Sequence, residues 1–111
     1  MKRYEELIFG TKRYLMKANK YVEDLSDEEF FMDEIRFDAM CFVIYTLHDL
    51  VEEGTKYSEY VKALGNDVVE ELKNIKGKIF KEDNISLDSM YYFACYSSLE
   101  LLERIAQNLL K

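Results

Sequence analysis

The apolar run at residues 37–47 is the feature that most restricts how this chain can fold. Only Asp38 and Thr46 in it are clearly polar, so a helix over this run would be apolar around nearly its whole circumference. Either the other helices of the same chain surround it, or it packs on the core with one side and on a second copy with another. We favour the second account, because soluble monomers rarely expose apolar patches of this extent.

The last helical stretch repeats the pattern at residues 90–96, which are mostly aromatic or aliphatic. Tyrosine suits an interface, since its ring contributes buried area while its hydroxyl tolerates a polar rim. We therefore predict a homodimer. The residues predicted to form the dimer or partner interface are Phe42, Tyr45, Tyr92, Phe93 and Tyr96.

Composition and periodicity both favour helices throughout the chain. Its 111 residues include no proline and only four glycines, and 49% of them are hydrophobic. Apolar residues recur at three- and four-residue steps, which is the spacing of amphipathic helices. A chain of this length usually forms one domain. We predict an all-α fold, an antiparallel up-down bundle of four to five helices that occupies residues 1–111 as a single domain.

Residues typical of helix ends divide the chain into these helices. A first helix is predicted over residues 1–25, after which Ser26 and Glu29 have the form of a capping box. Asp33 is expected to cap a long helix that ends at Gly54, and a short helical piece ends at Gly65. The remaining predicted caps are Asn66 or Asp67 for the next helix and Ser86 or Asp88 for the last.

Two glycines lie inside predicted helices, where each costs about 1 kcal/mol relative to alanine. Gly10 is expected to mark a close contact between helices. Gly77 is expected either to allow close backbone packing or to mark early fraying of its helix.

The charge balance argues against a general nucleic-acid binder. The chain has 22 acidic and 15 basic residues, a net charge of -7, whereas such proteins usually present a basic face to phosphate. No apolar segment of the signal-peptide type follows Met1, and no apolar run approaches the length of a membrane span. We expect a cytoplasmic protein without membrane contact.

Residues that often carry chemistry are few and scattered. Cys41 and Cys95 lie in apolar helical runs and are expected to be small buried hydrophobes. A single histidine, His48, cannot build a di-iron site, and we expect it to have a structural role near a helix end. Phosphate-binding glycine loops, nucleophile elbows and zinc spacings do not occur in the sequence. We predict no catalytic residues, no metal site and no cofactor.

A lysine cluster precedes the last helix. Lys73, Lys76, Lys78 and Lys81 fall in one short run near a predicted helix end. The helix dipole alone favours lysines there. The cluster is therefore interpreted equally well as a solvated helix end or as a contact with phosphate. Lys76, Lys78 and Lys81 are the candidate phosphate or RNA contacts. They are protonated at neutral pH and so could not act as a general base.

Three short stretches carry a family resemblance: Leu-Ser-Asp-Glu-Glu-Phe at residues 25–30, Asp-Glu-Ile-Arg-Phe-Asp-Ala at 33–39 and Ile-Ser-Leu-Asp at 85–88. With their helical spacing, the chain resembles the HEPN superfamily, most closely its HepT-like branch. HepT-like proteins are small helical partners of minimal nucleotidyltransferases in toxin-antitoxin loci. The resemblance implies a bundle of four or five helices, a homodimer and a nucleotidyltransferase-like protein partner.

The ribonuclease motif of that family is missing from this chain. In the family, an Arg, four to six intervening residues, a His and commonly a Tyr two further on form the site. Lys76, Lys81 and Asp83 stand at these positions here. The resemblance therefore implies a degenerate, non-catalytic, partner-binding protein. Two alternatives remain open: a ribonuclease toxin with non-standard residues, and an acidic inhibitor or decoy protein of phage type.

Overall fold

The computed structural model describes residues 1–110, whose helices share one core. The helices are α1 (Arg3–Val22), α2 (Asp27–Met32), α3 (Glu34–Gly54), α4 (Ser58–Leu64), α5 (Asn66–Ile79), α6 (Leu87–Tyr92) and α7 (Ser98–Leu109). A π-helical turn at Phe93–Ser97 joins α6 to α7, so residues 87–109 form one continuous helix, here called the C-terminal helix. The predicted all-α class is confirmed.

Four long helices form the body of the bundle. α1 packs against α3 and the C-terminal helix, and α5 packs against the same two helices from the other side. Of the short helices, α4 closes one end against α1, α5 and α7, while α2 closes the other end against α3 and α6. α3 and the C-terminal helix therefore lie at opposite corners of the bundle.

The core is aliphatic for most of its length, and α3 contributes only one of its sides to it. The buried apolar side chains of α3 within the bundle are Met40, Val43, Ile44, Leu47 and Val51. They recur at three- and four-residue steps, as expected for one helical face. The other apolar residues of this helix are at least partly open to solvent, so the chain by itself does not cover the whole circumference of α3.

Local capping explains where several helices begin. The Ser26 hydroxyl accepts from the Glu29 backbone N–H at 3.2 Å, and the Glu29 carboxylate accepts from the Ser26 N–H at 3.1 Å. This reciprocal bond lowers the pKa of the Glu29 carboxyl. Asp33 accepts from the Arg36 N–H at the start of α3, and Ser86 accepts from the Ser89 N–H at the start of α6. These three predicted caps are confirmed.

Other predicted boundaries need correction. The first helix ends at Val22 instead of residue 25, and Asp24 follows with a left-handed φ of 63°, which aspartate tolerates better than most residues. Neither Asn66 nor Asp67 caps α5: Gly65 holds that position with φ of 97° and no side-chain cap bond. Glycine fits there because a Cβ is disfavoured at positive φ.

The two helical glycines differ in their surroundings. A Cβ added to Gly10 would lie 3.4 Å from Leu50 of α3, an ordinary van der Waals distance, so α1 and α3 are in contact here without requiring glycine. A Cβ on Gly77 would meet no atom of residues 1–110 within 4 Å. The close packing expected as one explanation of Gly77 is therefore wrong, and the helix continues past Gly77 to Ile79.

The sequence did not predict the π-helical turn. The Ser98 N–H donates to the Phe93 carbonyl, five residues back, which widens the turn by about one residue. The Ala94 carbonyl accepts instead from the side chains of Asn19 on α1, at 3.2 Å, and of Ser98, at 2.9 Å. The wider turn keeps Met90 before it and Leu101 after it on the buried side.

A small hairpin fills the predicted turn between α5 and the C-terminal helix. Strands β1 (Phe80–Lys81) and β2 (Asn84–Ile85) pair antiparallel, with Phe80 opposite Ile85. Glu82 at the tip has φ of 51°. The hairpin places the Phe80 ring beside α3.

Candidate interaction surfaces

One line of exposed side chains runs along the outer side of α3. Its members recur at alternating steps of three and four residues, the spacing of one helical face. We call this line the α3 stripe; its members are Ile35, Asp38, Phe42, Tyr45, Asp49 and Glu52. Ile35 is 83% exposed and Phe42 is 63% exposed. Three large apolar or aromatic side chains and three carboxylates thus share a face that no other helix of residues 1–110 covers.

Aromatic contacts on both sides hold the centre of the α3 stripe in place. The rings of Phe42 and Tyr14 of α1 lie with their centroids 6.3 Å apart. Tyr45 stacks on Phe80 of the hairpin at 4.8 Å, and the Lys76 ammonium lies 5.0 Å from the Tyr45 ring centroid. Side chains already fixed in this way lose less conformational entropy on binding than free ones.

A second line of exposed residues, which the sequence reading missed, follows α1. We call it the α1 ridge; it consists of Phe9, Arg13, Met16 and Lys20, with Lys12 and Lys17 partly exposed beside it. None of the four cations forms an ion pair with a residue of the described chain. One signal was readable in advance: residues 7–22 contain four basic residues and no carboxylate, in a protein of net charge -7.

The predicted interface residues do not lie on one surface. Phe42 and Tyr45 belong to the α3 stripe, whereas Tyr92 and Tyr96 are exposed on the C-terminal helix at the opposite corner of the bundle. The two tyrosine rings pack together with centroids 5.2 Å apart. Phe93 is 3% exposed and lies mainly in the core, on the inner side of the π-helical turn, so it offers little surface to an interface.

A groove of about 500 Å³ lies beside Tyr92, between α5 and the C-terminal helix. Its apolar lining comes from Ile75, Ile79 and Phe93. Polar and charged groups surround this lining, and acidic residues outnumber basic ones; they are Glu71, Lys78, Asp88, Ser89, Tyr92, Ser97 and Glu100.

An ion-pair cluster holds one wall of this groove in position. Arg104 of α7 donates to Asp67 and to Glu71 of α5, both at 2.5 Å. The hydrogen bond from Arg104 lowers the pKa of the Asp67 carboxyl and raises the pKa of the guanidinium. Asn108 also donates to the Leu64 carbonyl at 2.5 Å. The Arg104 ion pairs tie α7 to α5 and the Asn108 bond ties α7 to α4, so these contacts have a structural role.

The three candidate lysines are spread over different surfaces. Lys76 lies over the Tyr45 ring on the side of α5 that faces α3, whereas Lys78 lines the groove on the side that faces the C-terminal helix. Lys81 is exposed on β1. A phosphate or RNA contact through these residues stays a prediction, and the structure does not bring the three ammonium groups to one point.

Groups with catalytic potential make ordinary structural contacts. The imidazole Nε2 of His48 lies 3.3 Å from the Glu52 carboxylate one turn later on α3. Burial, with a smaller effect of the Asp38 charge, raises the pKa of the Cys41 thiol, so this thiol is a poorer nucleophile than a free one. Within residues 1–110, no three His, Cys, Asp or Glu side chains are grouped as metal ligands would be.

A transmembrane helix is also absent from residues 1–110, because none of the helices combines sufficient length with sufficient apolar character.

Comparison of the chain with protein-family models, with curated proteins and with solved structures gave no match. The HepT-like resemblance therefore stays a prediction.

Proposed function

We propose that this protein is a non-catalytic helical interaction protein that acts as a homodimer, with the α3 stripe at the dimer interface. The supporting observation is the exposure of Phe42, Ile35 and Tyr45 along one helical line. Removing a large apolar side chain from water contributes about 1.5–3 kcal/mol. A symmetric dimer buries each such residue twice, which doubles the contribution.

The HepT-like resemblance adds a nucleotidyltransferase-like partner to this proposal, in a toxin-antitoxin setting. The second surface, where Tyr92 and Tyr96 stand beside the groove, is the place we propose for it, because it stays free when the α3 stripe is covered. Tyrosine-rich surfaces next to a depression are typical of protein-binding sites. Co-purification with a nucleotidyltransferase-like protein, lost on Tyr96→Ala but kept on Phe42→Ser, would support this part; the reverse pattern would contradict it.

Light scattering on a size-exclusion column tests the homodimer. The wild-type chain is expected to elute with twice its 13.2 kDa mass. Phe42→Ser removes two phenyl rings per dimer and is expected to weaken self-association about a hundredfold, from about 3 kcal/mol of lost burial. The matched control is Tyr96→Ser, which changes an equally exposed ring at the opposite corner and should leave the dimer intact. If both variants behave like the wild type, the α3 stripe is not the interface.

A further inference from the structure

The α1 ridge and the α3 stripe lie on neighbouring helices, so the positions of their residues along the bundle axis can be compared. A Cβ on Gly10 would touch Leu50, and Tyr14 lies against Phe42, so α1 and α3 run antiparallel. Both helices rise 1.5 Å per residue. Counting residues from these two contacts gives four pairs that lie at the same height, to within about half a turn. The pairs are Phe9 with Asp49, Arg13 with Tyr45, Met16 with Phe42, and Lys20 with Asp38.

The two lines are chemically complementary at two of these four levels. The ammonium of Lys20 is level with the carboxylate of Asp38, and the thioether of Met16 is level with the ring of Phe42. The guanidinium of Arg13 is level with the ring of Tyr45. The first two are an ion pair and a sulfur–aromatic pair. The Tyr45 ring already stacks on Phe80 and lies under Lys76 of its own chain, and the fourth level, Phe9 with Asp49, forms no such pair. Within one chain the side chains point outward from adjacent helices and form no ion pair with each other.

A second copy of the chain can bring the two members of each pair into contact. If the two-fold axis runs parallel to the bundle, rotation keeps every residue at its height and places α1 of one protomer opposite α3 of the other. If the axis were perpendicular to the helices, α1 would face α1 and α3 would face α3. That arrangement would oppose cations to cations and carboxylates to carboxylates, which destabilises an interface.

From this complementarity we infer that the protein pairs with a second copy of itself across the α1 ridge and the α3 stripe. Lys20 meets the partner's Asp38, Met16 meets the partner's Phe42, and Arg13 meets the partner's Tyr45, each twice by symmetry. The inference rests on the proposed homodimer and assigns its axis and register. A nucleic acid fits the α1 ridge less well, because Phe9 and Met16 stand on the same line as the cations.

Two charge reversals test this register by mixing. Lys20→Glu places a glutamate opposite the partner's Asp38, and Asp38→Lys places a lysine opposite the partner's Lys20, at two positions per dimer. Each variant alone is expected to self-associate roughly tenfold more weakly than the wild type. In an equimolar mixture, the new glutamate of one chain faces the new lysine of the other and the second pair is wild type. The mixed dimer should therefore regain wild-type affinity, measured by sedimentation velocity.

Two further charge reversals, away from the proposed interface, serve as matched controls. Lys62→Glu and Glu70→Lys make the same changes in charge at exposed positions of α4 and α5, and should leave self-association unchanged alone and mixed. Circular dichroism checks that all four variants keep the helical content of the wild type. Variants that dimerise like the wild type, or weakened variants that do not recover on mixing, overturn the register but leave the homodimer standing. A wild-type chain that stays monomeric overturns both.

Discussion

At the scale of single residues, the most informative contact is the buried pair formed by Tyr60 and Thr11. The two hydroxyls lie 2.8 Å apart, and the Thr11 hydroxyl also donates to the Leu7 carbonyl. Both side chains are fully buried. Buried polar groups cost free energy unless they are hydrogen-bonded, so this pair fixes the position of α4 against α1.

The same pair gives the protein a pH dependence at alkaline pH. Burial raises the pKa of Tyr60 to about 12, against a smaller opposing effect of the bond with Thr11, while an unfolded tyrosine has a pKa of about 10. Below about pH 10 the hydroxyl is neutral in both states and its stabilisation is fully present. Between about pH 10 and pH 12 only the unfolded chain ionises, so the free energy of unfolding should fall by about 2–3 kcal/mol.

Tyr60→Phe tests this effect. At neutral pH the variant should lose about 1 kcal/mol, because one hydrogen bond is removed while Thr11 keeps its bond to Leu7. Between neutral pH and about pH 11 it should lose less stability than the wild type, measured by urea unfolding. Tyr92→Phe, at an exposed ring, is the control and should follow the wild type. Parallel losses in Tyr60→Phe and the wild type would contradict the assignment.

At the scale of helices and strands, the sequence predicted features that depend on neighbouring residues only. The caps at Ser26, Asp33 and Ser86 were readable because each side chain bonds to a backbone group three residues away. The π-helical turn was not readable from neighbouring residues alone, because the Ala94 carbonyl inside it also accepts a hydrogen bond from Asn19 of another helix.

Gly77 and Gly54 make a matched pair of helical glycines with opposite predictions. Gly77→Ala should raise the free energy of unfolding by up to about 1 kcal/mol, because alanine favours the helix and its Cβ meets no atom. Gly54→Ala should lower it by about 1–3 kcal/mol, because its Cβ would collide with the Tyr60 ring. Urea unfolding measures both values. A loss of stability in Gly77→Ala would contradict the claim that a Cβ at this position meets no neighbouring atom.

At the scale of the whole molecule, the apolar run at residues 37–47 predicted that α3 needs cover from outside its own chain. The structure shows that α3 buries one side in the core and exposes Phe42 and Tyr45 on another; cover by a second copy stays a prediction. Assigning all five predicted residues to one interface required the order of helices around the bundle, which no local pattern contains. The α1 ridge was missed for the same reason, because its importance depends on which helix stands beside α1.

Sedimentation equilibrium of the wild-type chain over a wide range of concentrations tests the central claim most directly. We expect the average mass to rise from 13.2 kDa towards twice that value and to stop there, since a two-fold interface closes and leaves no free copy of itself. A mass that stays at 13.2 kDa at the highest concentration would contradict the homodimer, as would one that keeps rising beyond two copies.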